Sequence, residues 1–407
     1  MRAAMTRLGE IARVTSGGTP DRERPEYWGG TIPWVKTSLI QNCEINLADI
    51  DEFITEEGLK KSAAKIIPAS SILMAMIGQG KTRGQVAILK TDAAINQNCA
   101  ALILNEGIDA RYVYQQLLYR YEELRNVSNS SGQQNLNADL IRGFKIPLAD
   151  ATQQAAIGGV LTDWDTAIET TERLIAAKER FYAHELSRLI SRGQHPRRII
   201  SESTHKVATL GDFLTESREP DIEHDPGKRL TVRLHLQGVE ARIVRGTESD
   251  GATIYYRRRA GQLIYGKQNI FRGAIGIIPN DLDGYCSSQD LPAFDISSDI
   301  DPQWLYYWLS RKDFYTSLEA LAAGSGAKRL HPEEFFKIRI FLPDIATQTA
   351  IARYLNALRE ETTLLTRSLD ALKRQKRGLM QRLLNGKWRV PLAQDATSPN
   401  APQEVTP

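Results

Sequence analysis

Gln348-Thr349-Ala350-Ile351 opens a stretch in which Ile351, Leu355, Leu358, Leu365, Leu369, Leu372, Leu379 and Leu383 recur on alternating steps of four and three. Thr362 and Lys376 fill the two remaining positions. Apolar residues at that spacing line one face of an α-helix and form the seam of a coiled coil. An earlier stretch has the same form. Gln154-Ala155-Ala156-Ile157 leads into Ile157, Leu161, Trp164, Ile168, Ile175, Tyr182 and Leu189 on one register, with Thr171, Lys178 and Glu185 as polar interruptions. No glycine or proline interrupts residues 160–192, and Gly193 and Pro196 supply a permissive cap and then a block. The later helix is expected to stop near Asn385-Gly386. About 40 residues at 1.5 Å per residue make a rod of about 60 Å, long for the surface helix of a compact domain. Neither seam can bury itself alone, so the two helices are expected to pair as an antiparallel rod. A single core helix spanning one domain is the competing expectation.

Outward from the helices, the rest of the chain repeats as well. Leu8-Gly9-Glu10 returns as Leu210-Gly211-Asp212, and Thr82-Arg83-Gly84-Gln85-Val86-Ala87-Ile88-Leu89 returns as Phe271-Arg272-Gly273-Ala274-Ile275-Gly276-Ile277-Ile278. Asp109, Tyr112 and Tyr114 correspond to Asp301, Trp304 and Tyr306; Ser131-Gly132 with Leu136 corresponds to Ser325-Gly326 with Leu330. The matches keep their order, so each half reads as one globular domain followed by one long helix. Those globular halves read as mixed α/β. Strands are expected at residues 71–77, 86–89, 263–265 and 274–278, and at residues 230–237, where Leu230, Val232, Leu234 and Leu236 alternate with polar neighbours. Residues 110–124 and 302–314 have helical spacing.

Composition narrows the function. The 407 residues allow two or three domains and exclude a single small module. With 42% hydrophobic and 25% charged residues, the chain matches an ordinary soluble globular protein, and no apolar run approaches the ~18 residues of a membrane helix. The first residues lack the apolar core of a secretory signal, so the expected location is the cytoplasm. Cys43, Cys99 and Cys286 are too scattered for a disulfide framework or a zinc pair, and the six histidines show no metal-ligand spacing. Net charge is +3, so a DNA partner requires basic residues concentrated locally.

Ala75-Met76-Ile77-Gly78-Gln79-Gly80-Lys81-Thr82 satisfies a relaxed P-loop pattern. A P-loop must open a helix whose amides cradle phosphate, yet Arg83-Gly84 leads straight into the apolar run Val86 to Leu89. The matching stretch around Lys267 and Arg272 loses the Gly-Lys-Thr. No Pro-Pro pair exists for an amino-methyltransferase loop, and Pro20-Asp21 and Pro343-Asp344 lack a downstream nuclease D/E-x-K. Glu333-Glu334 beside His331 reads as a solvated face, which leaves no catalytic centre.

Recognition remains. Lys81 and Arg83 in one half, with Lys267 and Arg272 in the other, sit in a repeated basic loop suited to phosphates or bases. Residues able to read base edges recur at Gln79 to Arg83, with Thr82 between Lys81 and Arg83, and at Asn96-Gln97-Asn98, Gln133-Gln134-Asn135, Lys267-Gln268-Asn269 and Lys328-Arg329. Arg257-Arg258-Arg259, with Arg242 and Arg245 upstream, is a candidate phosphate cluster, and Lys36 and Arg233 join the candidate DNA contacts.

With these features in place, the chain resembles the specificity (S) subunit of type I restriction-modification enzymes. Ser16-Gly17-Gly18-Thr19-Pro20, Tyr27-Trp28-Gly29-Gly30 and Ile32-Pro33-Trp34-Val35 look like the start of that family's target recognition domain. Gly78-Gln79-Gly80-Lys81-Thr82-Arg83-Gly84 and Asn96-Gln97 resemble its interior, and Leu379-Met380-Gln381-Arg382-Leu383-Leu384-Asn385-Gly386-Lys387 resembles the end of its distal helix. The second half departs at its start, with Ser217-Arg218-Glu219-Pro220 in place of Gly-Gly-Thr-Pro. The resemblance implies an α+β fold: two similar globular α/β target recognition domains separated by two long antiparallel coiled-coil helices, a pseudo-two-fold tandem repeat. Its expected parts are recognition domain 1 (residues 1–150), a central conserved helix (151–193), a linker (194–207), recognition domain 2 (208–343), a distal conserved helix (344–390) and a disordered tail (391–407). It implies a non-catalytic subunit that binds a bipartite, asymmetric site in double-stranded DNA and holds two methyltransferase (M) subunits and, in the full complex, restriction (R) subunits. No cofactor is expected on this chain; S-adenosylmethionine, ATP and Mg belong to the partner subunits. An orphan DNA-binding coiled-coil scaffold and a P-loop ATPase are the alternatives.

Overall fold

A computed structural model describes residues 4–78, 80–130, 135–190, 206–244, 253–322 and 328–392. Gln79, Gln133, Gln134, Arg245, the Ser131-Gly132 and Ser325-Gly326 matches, the expected stop at Gly193 and Pro196, and nearly all of the expected linker and tail lie outside the described residues. The chain divides into two compact units, residues 1–172 with 367–407, and residues 173–366. Each contains one globular body and a portion of both long helices.

In the first unit, strands Ala12–Ser16, Cys99–Leu104, Ile72–Ala75, Val86–Leu89 and Cys43–Ile45 form one sheet in that order, antiparallel except for the last pair. Successive side chains on a strand point to opposite faces. Ile72, Met74, Val86 and Ile88 therefore enter one apolar core, while Leu73, Ala75, Ala87 and Leu89 enter another. Burial on both faces explains why these strands read as continuous apolar runs. The second unit repeats four of the strands in the same order: Leu214–Ser217, Ala293–Ile296, Leu263–Tyr265 and Ile275–Ile277. Again the faces divide, Leu263 and Tyr265 entering one core and Ile264 another. A two-stranded ribbon accompanies each sheet, Ala4–Arg7 with Lys145–Leu148 and Lys206–Thr209 with Arg339–Leu342.

Some expected elements are shorter. The alternation beginning at Leu230 gives only strand Leu230–Val232, because His235 and Leu236 turn the chain at φ values of 57° and 59° toward strand Val239–Ala241. Residues 110–124 belong to two helices, Ala110–Tyr119 and Tyr121–Ser130, and residues 302–314 to Pro302–Leu309 and Lys312–Ser317.

The central helix runs Ala151–Ile190 and the distal helix Ile345–Leu383. Every apolar position of both seams is buried or half-buried. Within the first unit, Lys376 contacts Asp165 and Lys373 lies 2.7 Å from Glu172, so one helix number rises as the other falls. The second unit shows the same antiparallel sense, with Lys178 2.7 Å from Glu361 and Tyr354 near enough to the Glu185 carboxylate to help lower its pKa. Polar seam residues Lys178, Glu185 and Lys376 are thus matched by polar partners on the opposite helix. Ile157, Leu161 and Leu383 join the first globular core; Leu189, Ile351 and Leu355 join the second. The distal helix closes on Gly386 at φ 65°, with Gly386 N–H donating to Leu383 at 3.0 Å and Lys387 N–H to Arg382 at 2.9 Å. That pair of bonds is a glycine-dependent C-terminal cap. Among the described residues, no helix is long and apolar enough to cross a membrane.

Each globular body is fastened to its helix start by the same bonds. Asp109 caps its helix through Tyr112 N–H at 3.0 Å, and its own N–H donates to Gln154 at 3.1 Å, whose amide donates to Ala149 at 2.8 Å. Asp301 caps through Trp304 N–H at 3.0 Å, donates to Gln348 at 2.9 Å, and Gln348 donates to Pro343 at 2.8 Å. Gln154 and Gln348 are both buried, so each bond satisfies a polar group that would otherwise be costly.

Candidate nucleic-acid interface

In the first unit, residues 76–85 cross between the antiparallel strands Ile72–Ala75 and Val86–Leu89. Gly84 N–H donates to Ala75 and Ala75 N–H to Gln85, both at 2.9 Å, and Gly78, Gly80 and Gly84 take φ values of 132°, 72° and 87°. Glycine suits these left-handed positions because it lacks a Cβ. The loop is a hairpin that returns into a strand, and it opens no helix to cradle phosphate, so the P-loop alternative has no structural footing. Lys81 is exposed, and Thr82 and Arg83 are half-buried. At the foot of the hairpin, Met76 donates to Asn98 and Leu136 to Met76, each at 3.0 Å, while Asn96 donates to Val35 at 3.1 Å. Exposed Gln97, which accepts from the Thr19 hydroxyl, and Asn135 therefore adjoin the hairpin.

Lys36, expected as a DNA contact, is already matched by acids: its ammonium lies 2.7 Å from Asp51 and 3.4 Å from Glu52. Hydrogen bonding holds Lys36 above its ordinary pKa and Asp51 below the usual carboxylate range. A phosphate would have to displace these partners.

The second unit builds the same site at residues 266–274, between Leu263–Tyr265 and Ile275–Ile277. The Lys267 backbone N–H donates to the Asp290 carbonyl and the Leu330 N–H to the Lys267 carbonyl, each at 2.9 Å, reproducing the two backbone bonds made at Met76. Gly273, at φ 75°, lets the loop approach another turn; an added Cβ would sit 3.2 Å from the Leu236 nitrogen. His235 and Leu236 donate to Arg272 and Gly273 at 2.9 Å, which sets the Arg233 turn beside the loop. With its amide oxygen toward the guanidinium, Gln268 accepts from Arg329 at 2.7 and 3.2 Å. Lys267, Gln268, Asn269, Arg272, Arg233, Lys328 and Arg329 thus come from segments that meet.

Two features of the expected basic set change. The triple arginine does not act as one cluster, because side chains alternate along extended chain. Arg258 turns inward and is 1% exposed, donating to Ser287 and Ser217 at 2.7 Å and to Leu291 at 3.2 Å, and burial lowers its pKa to about 10. It is a structural residue and has no path to DNA. Arg259 pairs with Glu219 at 2.7 Å, and exposed Arg257 lines a cavity of about 250 Å³ with Asp221, Glu223 and Asp225. Arg233 and Lys328 also have partners, Glu240 and Glu319, each at 3.2 Å. Among the described residues, no carboxylate pairs with Lys81, Lys267 or Arg272. On the two equivalent hairpins these three cations are therefore open among the described residues. Sequence reasoning missed Asp290 and Glu319, which share this surface, and Tyr121 and Arg125, which support the first hairpin; the four-residue spacing of Tyr121 and Arg125 was their available signal.

The family model described as the type I restriction modification DNA specificity domain matches residues 3–179 and again 254–374. The chain belongs to this family. Specificity subunits are the non-catalytic members of type I restriction-modification systems. The chain is 30% identical over 165 residues to the EcoR124I/EcoR124II specificity subunit of Escherichia coli, an alignment covering 39% of this chain and 40% of that relative. It is 29% identical over 170 residues to the MjaIX specificity subunit of Methanocaldococcus jannaschii, covering 41% and 39%. The chain thus spans about two fifths of the length of these two curated relatives. A third, the MjaVIII specificity subunit of the same archaeon, aligns over 410 residues at 20% identity, covering 95% of this chain and 93% of the relative. The crystal structure of a type I S subunit from M. genitalium has the same fold, with a TM-score of 0.58 at 13% identity over 94% of this chain and 96% of that one.

Proposed function

We propose that this chain reads DNA for a type I restriction-modification enzyme and carries no catalytic step itself. Residues 1–150 and 208–343 each bind one half of an asymmetric duplex site, and the paired helices Ala151–Ile190 and Ile345–Leu383 set the unread gap between the halves. Two methyltransferase subunits and, in the full enzyme, restriction subunits assemble on it. They supply S-adenosylmethionine chemistry and Mg-ATP-driven restriction, while this chain holds no cofactor and works in the cytoplasm. The observation that carries this reading is the pair of equivalent hairpins whose Lys81, Lys267 and Arg272 lack carboxylate partners among the described residues. Cations left open in this way are suited to phosphate neutralisation or base contact.

The test is to assemble the chain with the methyltransferase subunit of its host and titrate duplex DNA at several salt concentrations. Lys81→Ala and the pair Lys267→Ala, Arg272→Ala are each expected to weaken binding, with the salt slope falling by about one for each phosphate no longer neutralised. Unchanged affinity and slope overturn the assignment of these loops. Methylation that does not depend on adding this chain overturns the function.

A further inference from the structure

We infer that Tyr121 and Arg125 are positioning residues for recognition by the first unit. They hold the backbone of its hairpin and so fix where Lys81 presents its side chain. This rests on the reading that the hairpins touch DNA. A loop with three glycines at positive φ is intrinsically soft. Helix Tyr121–Ser130 stiffens it from one side: the Tyr121 hydroxyl donates to the Lys81 carbonyl at 2.5 Å, and Arg125 Nη2 donates to the Gly80 carbonyl at 2.5 Å. Arg125 Nη1 also donates to the Tyr121 hydroxyl at 2.9 Å, with its guanidinium 5.3 Å from the ring centre, so the two supports brace one another. Spacing of four residues puts both on one face of the helix. The fit is close at Gly84, where an added Cβ would lie 3.1 Å from Arg125 Cγ. Lys81 is thereby held by its main chain while its side chain stays exposed.

The second unit places a support at the same point with different chemistry. Helix Lys312–Ser317 packs against the turn Ile270–Arg272, and Phe271 and Phe314 join the core beside it. Phe314 lies 4.3 Å from Trp308 between ring centres, and Arg311 donates to the Trp308 carbonyl at 3.2 Å. The position of the support is repeated, but among the described residues the hydrogen bonds from helix side chains to the hairpin carbonyls belong to the first unit.

The experiment uses the chain assembled with its host methyltransferase subunit and compares Tyr121→Phe plus Arg125→Met with wild type and with Lys81→Ala. Modified-base sequencing gives the methylated motif, and competition between cognate and scrambled duplexes gives the preference. The double variant is expected to lose about tenfold in preference. One half-site should become degenerate while the other stays intact, with melting temperature and binding to scrambled DNA unchanged, and Arg125→Lys should restore part of the preference. Unaltered preference in the double variant, with a loss in Lys81→Ala, overturns the positioning role alone. No loss of affinity, salt slope or preference in Lys81→Ala overturns the DNA-contacting reading of the hairpin and this inference with it. Equal damage to both half-sites with a lowered melting temperature shows a general structural role and overturns the inference.

Discussion

Gln115 donates a 2.7 Å hydrogen bond to the Asp165 carboxylate, joining a globular helix of the first unit to the central helix. Lys376 meets the same carboxylate from the distal helix, so one acid holds three elements. Gln115 is 1% exposed and Lys376 9%. Removing Asp165 leaves two nearly buried polar groups unanswered, so Asp165→Ala is expected to cost about 2 kcal/mol, the scale of a hydrogen bond to a charged group. Lys376→Met should cost less, since it removes the charge and keeps the apolar stem. Urea titration read by hydrogen exchange in residues 151–172 checks the order.

The buried Glu185 carboxylate accepts from Arg188 at 2.9 and 2.5 Å, and this pairing holds its pKa below the ordinary carboxylate value. A lowered folded pKa stabilises the protein above the unfolded value, about 4.3, and that contribution is lost as pH falls through the folded value. The melting-temperature advantage of wild type over Glu185→Gln should therefore be full near pH 7 and fade below about pH 4. A constant gap across a pH series contradicts this.

Gly17 and Gly18 have a steric role. An added Cβ at Gly17 would lie 1.8 Å from the Ile95 carbonyl oxygen, and one at Gly18 would lie 2.4 Å from the Ala63 carbonyl carbon. Both obstacles are backbone, so neither Gly17→Ala nor Gly18→Ala can be absorbed by a side-chain rotation. Each should destabilise the first unit by about 1–3 kcal/mol, the cost of overpacking, or more. Limited proteolysis of residues 4–78 is the direct measurement.

Arg258 and Arg272 should separate cleanly. Arg258→Met strips donors from Ser287, Ser217 and Leu291 and is expected to destabilise the second unit by about 3 kcal/mol, with any binding defect tracking unfolding. Arg272→Ala should leave the melting temperature unchanged and reduce DNA affinity and its salt slope. A normal melting temperature for Arg258→Met is inconsistent with its buried role.

Matched insertions of about seven residues in both long helices preserve the seam and lengthen the pair by about 10 Å. At about 3.4 Å per base step, the unread gap should grow by about three base pairs with both half-sites unchanged. Altered half-sites in modified-base sequencing contradict a pure spacer.

Much of this was legible because periodicity reports burial directly. Every apolar seam position found by the three-four alternation is at least partly covered, and the matched Asp109 and Asp301 do cap equivalent helices. What escaped depends on partners distant in sequence. The charge of Lys36 was visible, but the Asp51 and Glu52 that neutralise it come from another strand connection. Arg258 escaped for a different reason: three adjacent arginines suggest one basic surface, whereas extended backbone sends the middle one inward. The strand expected through Leu236 failed because His235 and Leu236 adopt left-handed φ, which neither residue type advertises.

The joint made by Asp109 with Gln154 recurs in Asp301 with Gln348, donor for donor and acceptor for acceptor. It works as a standard coupling, indifferent to what the attached body carries on its far rim. Mutations can accumulate in the rim and redirect its chemistry while the coupling keeps every partner it had. A lineage can thereby change the message it answers to without redesigning the fitting that mounts the reader.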